Sequence, residues 1–205
     1  GRYWHGYLIF MKPLLLLLDY GQLRIINMLV QICLLMANVI LLTQRKRLDL
    51  TVAVVGLWVF LNPLSELLCL QFSCVSSLTL ISFLALTLLR ERYESNGYLL
   101  LGHFLVFGML TSYFDLLTYP LVVMGTSTLF WITYSDSVSN VRALKNPLVC
   151  GLACMLLWCV GYAGMWASKW VLASLLTNSN VLQDAFANIQ TRTSSNEGVT
   201  HFGLI

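Results

Sequence analysis

Forty consecutive residues, Leu50 to Leu89, contain neither Lys nor Arg. A helix rises 1.5 Å per residue and the hydrocarbon core of a bilayer takes about 20 apolar residues to cross. The run is therefore too apolar to face water and too long for a single crossing. Asn62-Pro63 supplies a break and Gln71-Phe72-Ser73 a turn, which predicts a helical hairpin whose first arm kinks at Pro63. Similar stretches flank it: Leu23 to Leu42, Gly97 to about Leu117, Tyr119 to Tyr134, and a sixth that opens at Pro147 and reaches Leu176. Proline suits the first turn of a helix. The expected fold is all-α, a polytopic transmembrane helix bundle with about six spans.

Composition removes the alternatives. Hydrophobic residues make up 58% and charged residues 10%, with a mean hydropathy of +0.77, whereas soluble domains carry about 25% charged residues. The apolar runs are continuous, so a transmembrane barrel with its alternating strands does not fit. A net charge of +3 is too weak and scattered for nucleic acid. Residues 1–176 read as the transmembrane helical region and 177–205 as a polar extracytoplasmic segment. The chain opens on Gly1-Arg2-Tyr3-Trp4-His5 without Met or a signal-peptide pattern, and apolar character returns at Phe202-Gly203-Leu204-Ile205. Both ends suggest an internal piece of a longer membrane protein.

Direction follows from the basic residues. Arg45, Lys46, Arg47, Arg90, Arg92, Arg142 and Lys145 occupy three alternate short loops, while the loops near Cys69–Ser76 and Thr118–Pro120 carry no Lys or Arg. Cytoplasmic loops retain positive charge, so those three loops are expected inside. Residues 1–22, the hairpin tip, Tyr113–Pro120 and the segment after Trp170 then lie outside.

Motifs for soluble chemistry are missing. The six cysteines show no CxxC and no His-paired metal spacing. Cys150 and Cys154 are one turn apart and read as small packing hydrophobes; a Cys69–Cys74 disulfide is not expected. No phosphate loop, HExxH or GxSxG occurs, and no internal repeat suggests an inverted-repeat transporter. No metal site is read, no cofactor is assigned, and a divalent metal stays open.

Polar residues gather in three clusters, all expected at the outer face. The first, Arg2-Tyr3-Trp4-His5-Gly6-Tyr7, precedes the apolar run Leu8–Leu18 with Lys12-Pro13 inside it. That run is too short to span and predicts an N-terminal interfacial juxtamembrane segment. Arg2 and Lys12 either snorkel to lipid phosphates as anchors or, with His5, hold the phosphate of a lipid-linked substrate. The second cluster is Ser112 to Pro120. Counted from Tyr98, Asp115 lies about 26 Å along the helix, just below the outer boundary. It is the candidate catalytic carboxylate, and equally a helix cap or partner of a cation. The third is Gly161 to Trp170. Lys169 lies about 33 Å from Pro147, at the level of Asp115. Gly161, Gly164, Ala167 and Ser168 allow close helix approach, while Trp166 and Trp170 form either a stacking surface for a sugar or an interfacial belt. Tyr113, Tyr119, Trp166, Lys169 and Trp170 are the candidate residues on the acceptor or sugar side. Glu66 is a weaker member of this outer set, and mid-membrane His103 reads as a hydrogen-bonded packing residue.

One stretch carries a family resemblance. Tyr3-Trp4-His5-Gly6 leads through Met11-Lys12-Pro13 to Asp19-Tyr20-Gly21-Gln22-Leu23-Arg24, a long span and Gln44-Arg45-Lys46-Arg47. This order resembles the start of a GT-C class glycosyltransferase, a membrane enzyme that uses polyprenyl-phosphate sugars. Its paired prolines are absent here, and the match covers about a quarter of the chain. Tyr113–Pro120 and Gly161–Trp170 resemble segments of uncharacterised multispan membrane proteins of Gram-positive bacteria. The resemblance implies a bacterial cytoplasmic membrane and a catalytic carboxylate upstream of residue 1. It also implies a lipid-phosphate pocket near Arg2, His5 and Arg24, with Asp115 and Trp166 toward the acceptor. The expected reaction is inverting sugar transfer to an extracytoplasmic acceptor, with a carboxylate as base and basic residues on the departing phosphate. The alternatives are a transporter or flippase of a lipid-linked solute, whose spans should show polarity at several depths, and a non-catalytic membrane subunit.

Overall fold

The computed structural model describes residues 4–68, 70–114, 118–135 and 146–177. Within them the chain is helical throughout: α1 (Leu8–Leu14), α2 (Tyr20–Gln44), α3 (Leu48–Phe60), α4 (Pro63–Leu68), α5 (Leu70–Leu88), α6 (Arg90–Ser95), α7 (Gly97–Phe114), α8 (Leu121–Tyr134) and α9 (Pro147–Thr177). Three stretches are long and apolar enough to cross a membrane, Tyr20–Gln44, Gly97–Phe114 and Pro147–Leu175. Three shorter apolar stretches, Leu48–Phe60, Ser73–Leu88 and Leu121–Tyr134, accompany them. The chain is thus an all-helical membrane protein with three helices of spanning length. Each of the six expected spans meets an apolar helix, but α8, at about 21 Å, is shorter than a bilayer core.

Local chemistry explains where the helices begin and break. Asp19 caps α2 in a reciprocal box: its carboxylate accepts from the Gln22 amide at 2.8 Å, and the Gln22 side chain accepts from the Asp19 amide at 3.0 Å. The expected kink at Pro63 is a full break. Here α3 stops at Phe60, Asn62 takes a positive φ of 58°, and α4 starts on the proline. The expected turn at Gln71–Ser73 is corrected, because these residues lie inside α5. Nothing in Gln-Phe-Ser breaks a helix the way Pro or Gly does, and α4 ends at Leu68, earlier than the reading placed the reversal.

Packing is built around α2, α5 and the α7–α9 pair. Helix α2 lies against α3, α4 and α5; α5 in turn meets α7 and α8; α7 and α9 are the most intimate pair. That intimacy rests on two glycines. A Cβ on Gly108 would run into the Trp158 carbonyl, and one on Gly161 into the Leu105 carbonyl, so backbones touch where any side chain would hold them apart. Gly164, by contrast, faces open space. The core holds Leu42, Leu86, Phe104, Trp131 and Trp158, with Cys150 and Cys154 buried among them as expected. Large apolar side chains such as Leu16, Leu17, Val52 and Phe60 remain exposed on the outside, the distribution appropriate to a hydrocarbon solvent.

Candidate functional site at one end of the bundle

The segment ahead of α2 forms a strap. His5 takes a positive φ of 49°, turning the chain so that Gly6 lies flat on the end of α7. The Gly6 amide donates to the Tyr113 carbonyl at 2.9 Å, and a Cβ at Gly6 would collide with the Tyr113 ring. Trp4 then reaches α9, its indole N–H donating to the Met165 carbonyl at 2.8 Å. Its ring lies 5.6 Å from that of Tyr113, and the Lys169 ammonium sits 5.5 Å from its centroid, within cation–π range. Trp166 and Trp170 pair beside it at 4.3 Å between centroids.

The three sequence clusters therefore meet at one end, with Trp4 as the joint. Trp4 belongs to the Tyr-Trp-His-Gly string but is not among the site residues predicted from sequence. Tyr113 and Lys169 both meet Trp4; the level expected for Lys169 is that of Asp115, which lies outside the described residues. Tyr119 packs partly buried against the core. His5 points a buried Nδ1 that has no partner among the described residues. Lys12 and Arg24 do not enter this cluster through any contact described. Arg24 lies 5.8 Å from the Tyr20 ring. Arg2 and Asp115, and the side chain of Glu66, lie outside the described residues, as does position 69 of the cysteine pair.

Beneath the strap lies an apolar groove of about 480 Å³. Its walls are Phe10 and Leu14 of α1, Leu23 and Val30 of α2, Ile81 of α5 and Phe114 at the end of α7. Ser73, Ser77 and Asn27 contribute the polar atoms, and the Asn27 Nδ2 is buried with no partner among the described residues. Lys12 and Arg24 are the chain neighbours of its lining residues Met11 and Leu23, without lining it themselves. Chemically the end combines a hydrocarbon-lined slot, cations nearby in sequence and the half-buried aromatic rings of Trp4, Tyr113, Trp166 and Trp170. No group of three or more His, Cys, Asp or Glu forms a metal cage among the described residues.

The opposite end is defined by the basic loops. Arg47 donates to the Thr133 and Tyr134 carbonyls at 2.6 and 3.0 Å, capping α8, and pairs with Asp49 at 3.0 Å. Arg90 pairs with Glu94 at 2.8 Å and lies 4.8 Å over the Tyr134 ring. Two of the three basic loops are thus drawn to one pole; Arg142 and Lys145 lie outside the described residues.

Between the poles the bundle is more polar than the sequence reading holds. Asn27, Gln31 and Asn38 recur at helical spacing on α2, a periodicity visible in the sequence. Gln31 and Asn38 are fully buried. The Trp58 indole donates to Gln31 at 3.3 Å, and Asn38 donates to the Leu80 carbonyl at 3.1 Å. His103, expected to be a hydrogen-bonded packing residue, links Ser82 at 3.0 Å and Tyr93 at 3.2 Å; Ser82 also meets Ser127 at 2.8 Å. Burial pushes the Tyr93 hydroxyl above its ordinary pKa, so it stays protonated. The chain Tyr93–His103–Ser82–Ser127 joins α6, α7, α5 and α8, running inward from the basic loop. No protein-family model, curated protein or solved structure matches this chain.

Proposed function

We propose that the chain is part of a GT-C-like glycosyltransferase, moving a sugar from a polyprenyl-phosphate donor to an extracytoplasmic acceptor at a bacterial cytoplasmic membrane. The observation that carries this reading is the apolar groove of about 480 Å³ beneath the strap, whose lining residues Met11, Leu23 and Phe114 are the chain neighbours of Lys12, Arg24 and the Tyr113 that meets Trp4. An isoprenoid chain suits the slot, a phosphate suits those cations, and sugar rings stack on aromatic faces such as Trp166 and Trp170. The basic pole at the other end supports an outward-facing site. The polyprenyl chain would lie under α1, Arg24 and His5 would face its phosphate, and the catalytic base is Asp115 or a carboxylate upstream of Gly1.

A second reading is favoured by one observation. The polar residues Gln31, Asn38, Ser82 and His103 are buried inside the bundle, which suits a transporter or flippase of a lipid-linked solute better than wholly apolar spans would. The test is sugar transfer by the complete protein in vesicles with a polyprenyl-phosphate-sugar donor. Arg24→Ala should raise the donor KM about tenfold, the loss of one charge-assisted contact. Unchanged kinetics remove Arg24 from the pocket. Movement of the intact donor across the bilayer without transfer would establish the second reading.

A further inference from the structure

A second cleft opens at the basic pole, away from the groove under the strap. It encloses about 300 Å³ between α3, α5 and α8. Leu50, Ala53 and Leu57 of α3 form one wall, Thr126 and Leu129 of α8 the other, and Phe83 of α5 the floor. The mouth lies at Asp49 and Thr133. From Asp49 to Leu57 is eight residues of helix, a depth of about 12 Å. The cleft is a slot for one hydrocarbon chain, open at the level where a lipid headgroup begins.

The mouth is selective in charge. Arg47 bridges its two sides: Nε and Nη2 donate to the two Asp49 oxygens at 3.1 and 3.0 Å, Nη1 to the Tyr134 carbonyl, and Nη2 also to that of Thr133. Its donors are spent on the protein. The Asp49 carboxylate stays 57% exposed, and a carboxylate offers about four lone-pair sites, so it retains acceptor capacity toward the cleft. Thr133 adds an exposed hydroxyl. Arg45 and Lys46, both exposed, stand just before this clip. The mouth thus presents an acceptor beside the slot and cations a few residues away.

We infer that this cleft binds a phospholipid of the basic-side leaflet whose headgroup carries a primary ammonium. The ammonium donates to Asp49, the phosphate lies toward Arg45 and Lys46, and one acyl chain fills the slot between α3 and α8. A quaternary ammonium has no N–H to donate, and a glycerol headgroup brings no cation to the carboxylate, so both bind more weakly. The site is independent of the groove under the strap and of the transferase reading.

The test is lipid retention by the complete protein in native mass spectrometry, after exchange into mixed micelles of phosphatidylethanolamine, phosphatidylcholine and phosphatidylglycerol with identical acyl chains. The expected result is about tenfold preference for phosphatidylethanolamine over phosphatidylcholine, the scale of one charge-assisted hydrogen bond. Asp49→Asn should reduce that preference to about twofold, and Ala53→Trp should release all three lipids by filling the slot. Stepwise N-methylation of the lipid headgroup repeats the test on the unaltered protein, with retention falling at the final methyl. Equal retention of the ethanolamine and choline lipids, or stronger retention of phosphatidylglycerol, overturns the inference. So does a preference that survives Asp49→Asn.

Discussion

Trp4 reaches two segments that each lie more than a hundred residues away from it in sequence, and its side chain does so in two distinguishable ways. The indole N–H bonds the Met165 carbonyl, while the ring meets Tyr113 and Lys169. Trp4→Phe removes only the first. We predict that it raises amide exchange at Gly6 roughly fivefold, equivalent to about 1 kcal/mol for one lost hydrogen bond; Trp4→Ala should raise it further. Exchange unchanged in both variants would mean that the strap is held elsewhere. This joint was hard to read from sequence because a Trp near a membrane boundary is most simply an interfacial anchor. Its carbonyl partner leaves no sequence signal at all. The polar residues of α2 were passed over although a signal exists: Asn27, Gln31 and Asn38 fall on one face by spacing alone.

At the scale of the element, the α7–α9 pair shows what a small residue does when its position demands it. Gly161 and Gly164 look alike in sequence, three residues apart in one apolar helix. Only Gly161 meets an opposing backbone, that of Leu105. Gly161→Val should lower stability in detergent by about 1–3 kcal/mol through overpacking, read as thermal unfolding, and Gly164→Val should leave it within about 0.5 kcal/mol. Equal effects would contradict the pairing. The boundaries of α2 and α9 were readable from hydropathy and from Pro147. The division between α4 and α5 was not, because the polar triplet Gln71-Phe72-Ser73 offers turn composition without a residue that forbids helix.

At the scale of the whole molecule, alternation of basic loops predicts two chemically different poles. Arg47 and Arg90 converge on Tyr134 at one, and Trp4, Tyr113 and Lys169 at the other. With the basic pole inside, a cysteine placed at Lys46 should be protected from a membrane-impermeant thiol reagent in intact cells, and one placed at Tyr119 should be labelled. The reverse pattern would invert the orientation. The helical membrane architecture was legible because hydropathy alone dictates it. The groove was not, because it is formed by residues of four helices brought together only by packing.

The central claim is that the groove beneath the strap holds the chain of a lipid-phosphate sugar donor. Photo-crosslinking of the complete protein with a benzophenone-tagged polyprenyl phosphate tests it directly. The account predicts adducts on peptides containing Phe10, Asn27 and Ser77, suppressed by untagged polyprenyl-phosphate sugar. Adducts confined to the exposed outer faces of α3 and α9, or unaffected by the competitor, would contradict it.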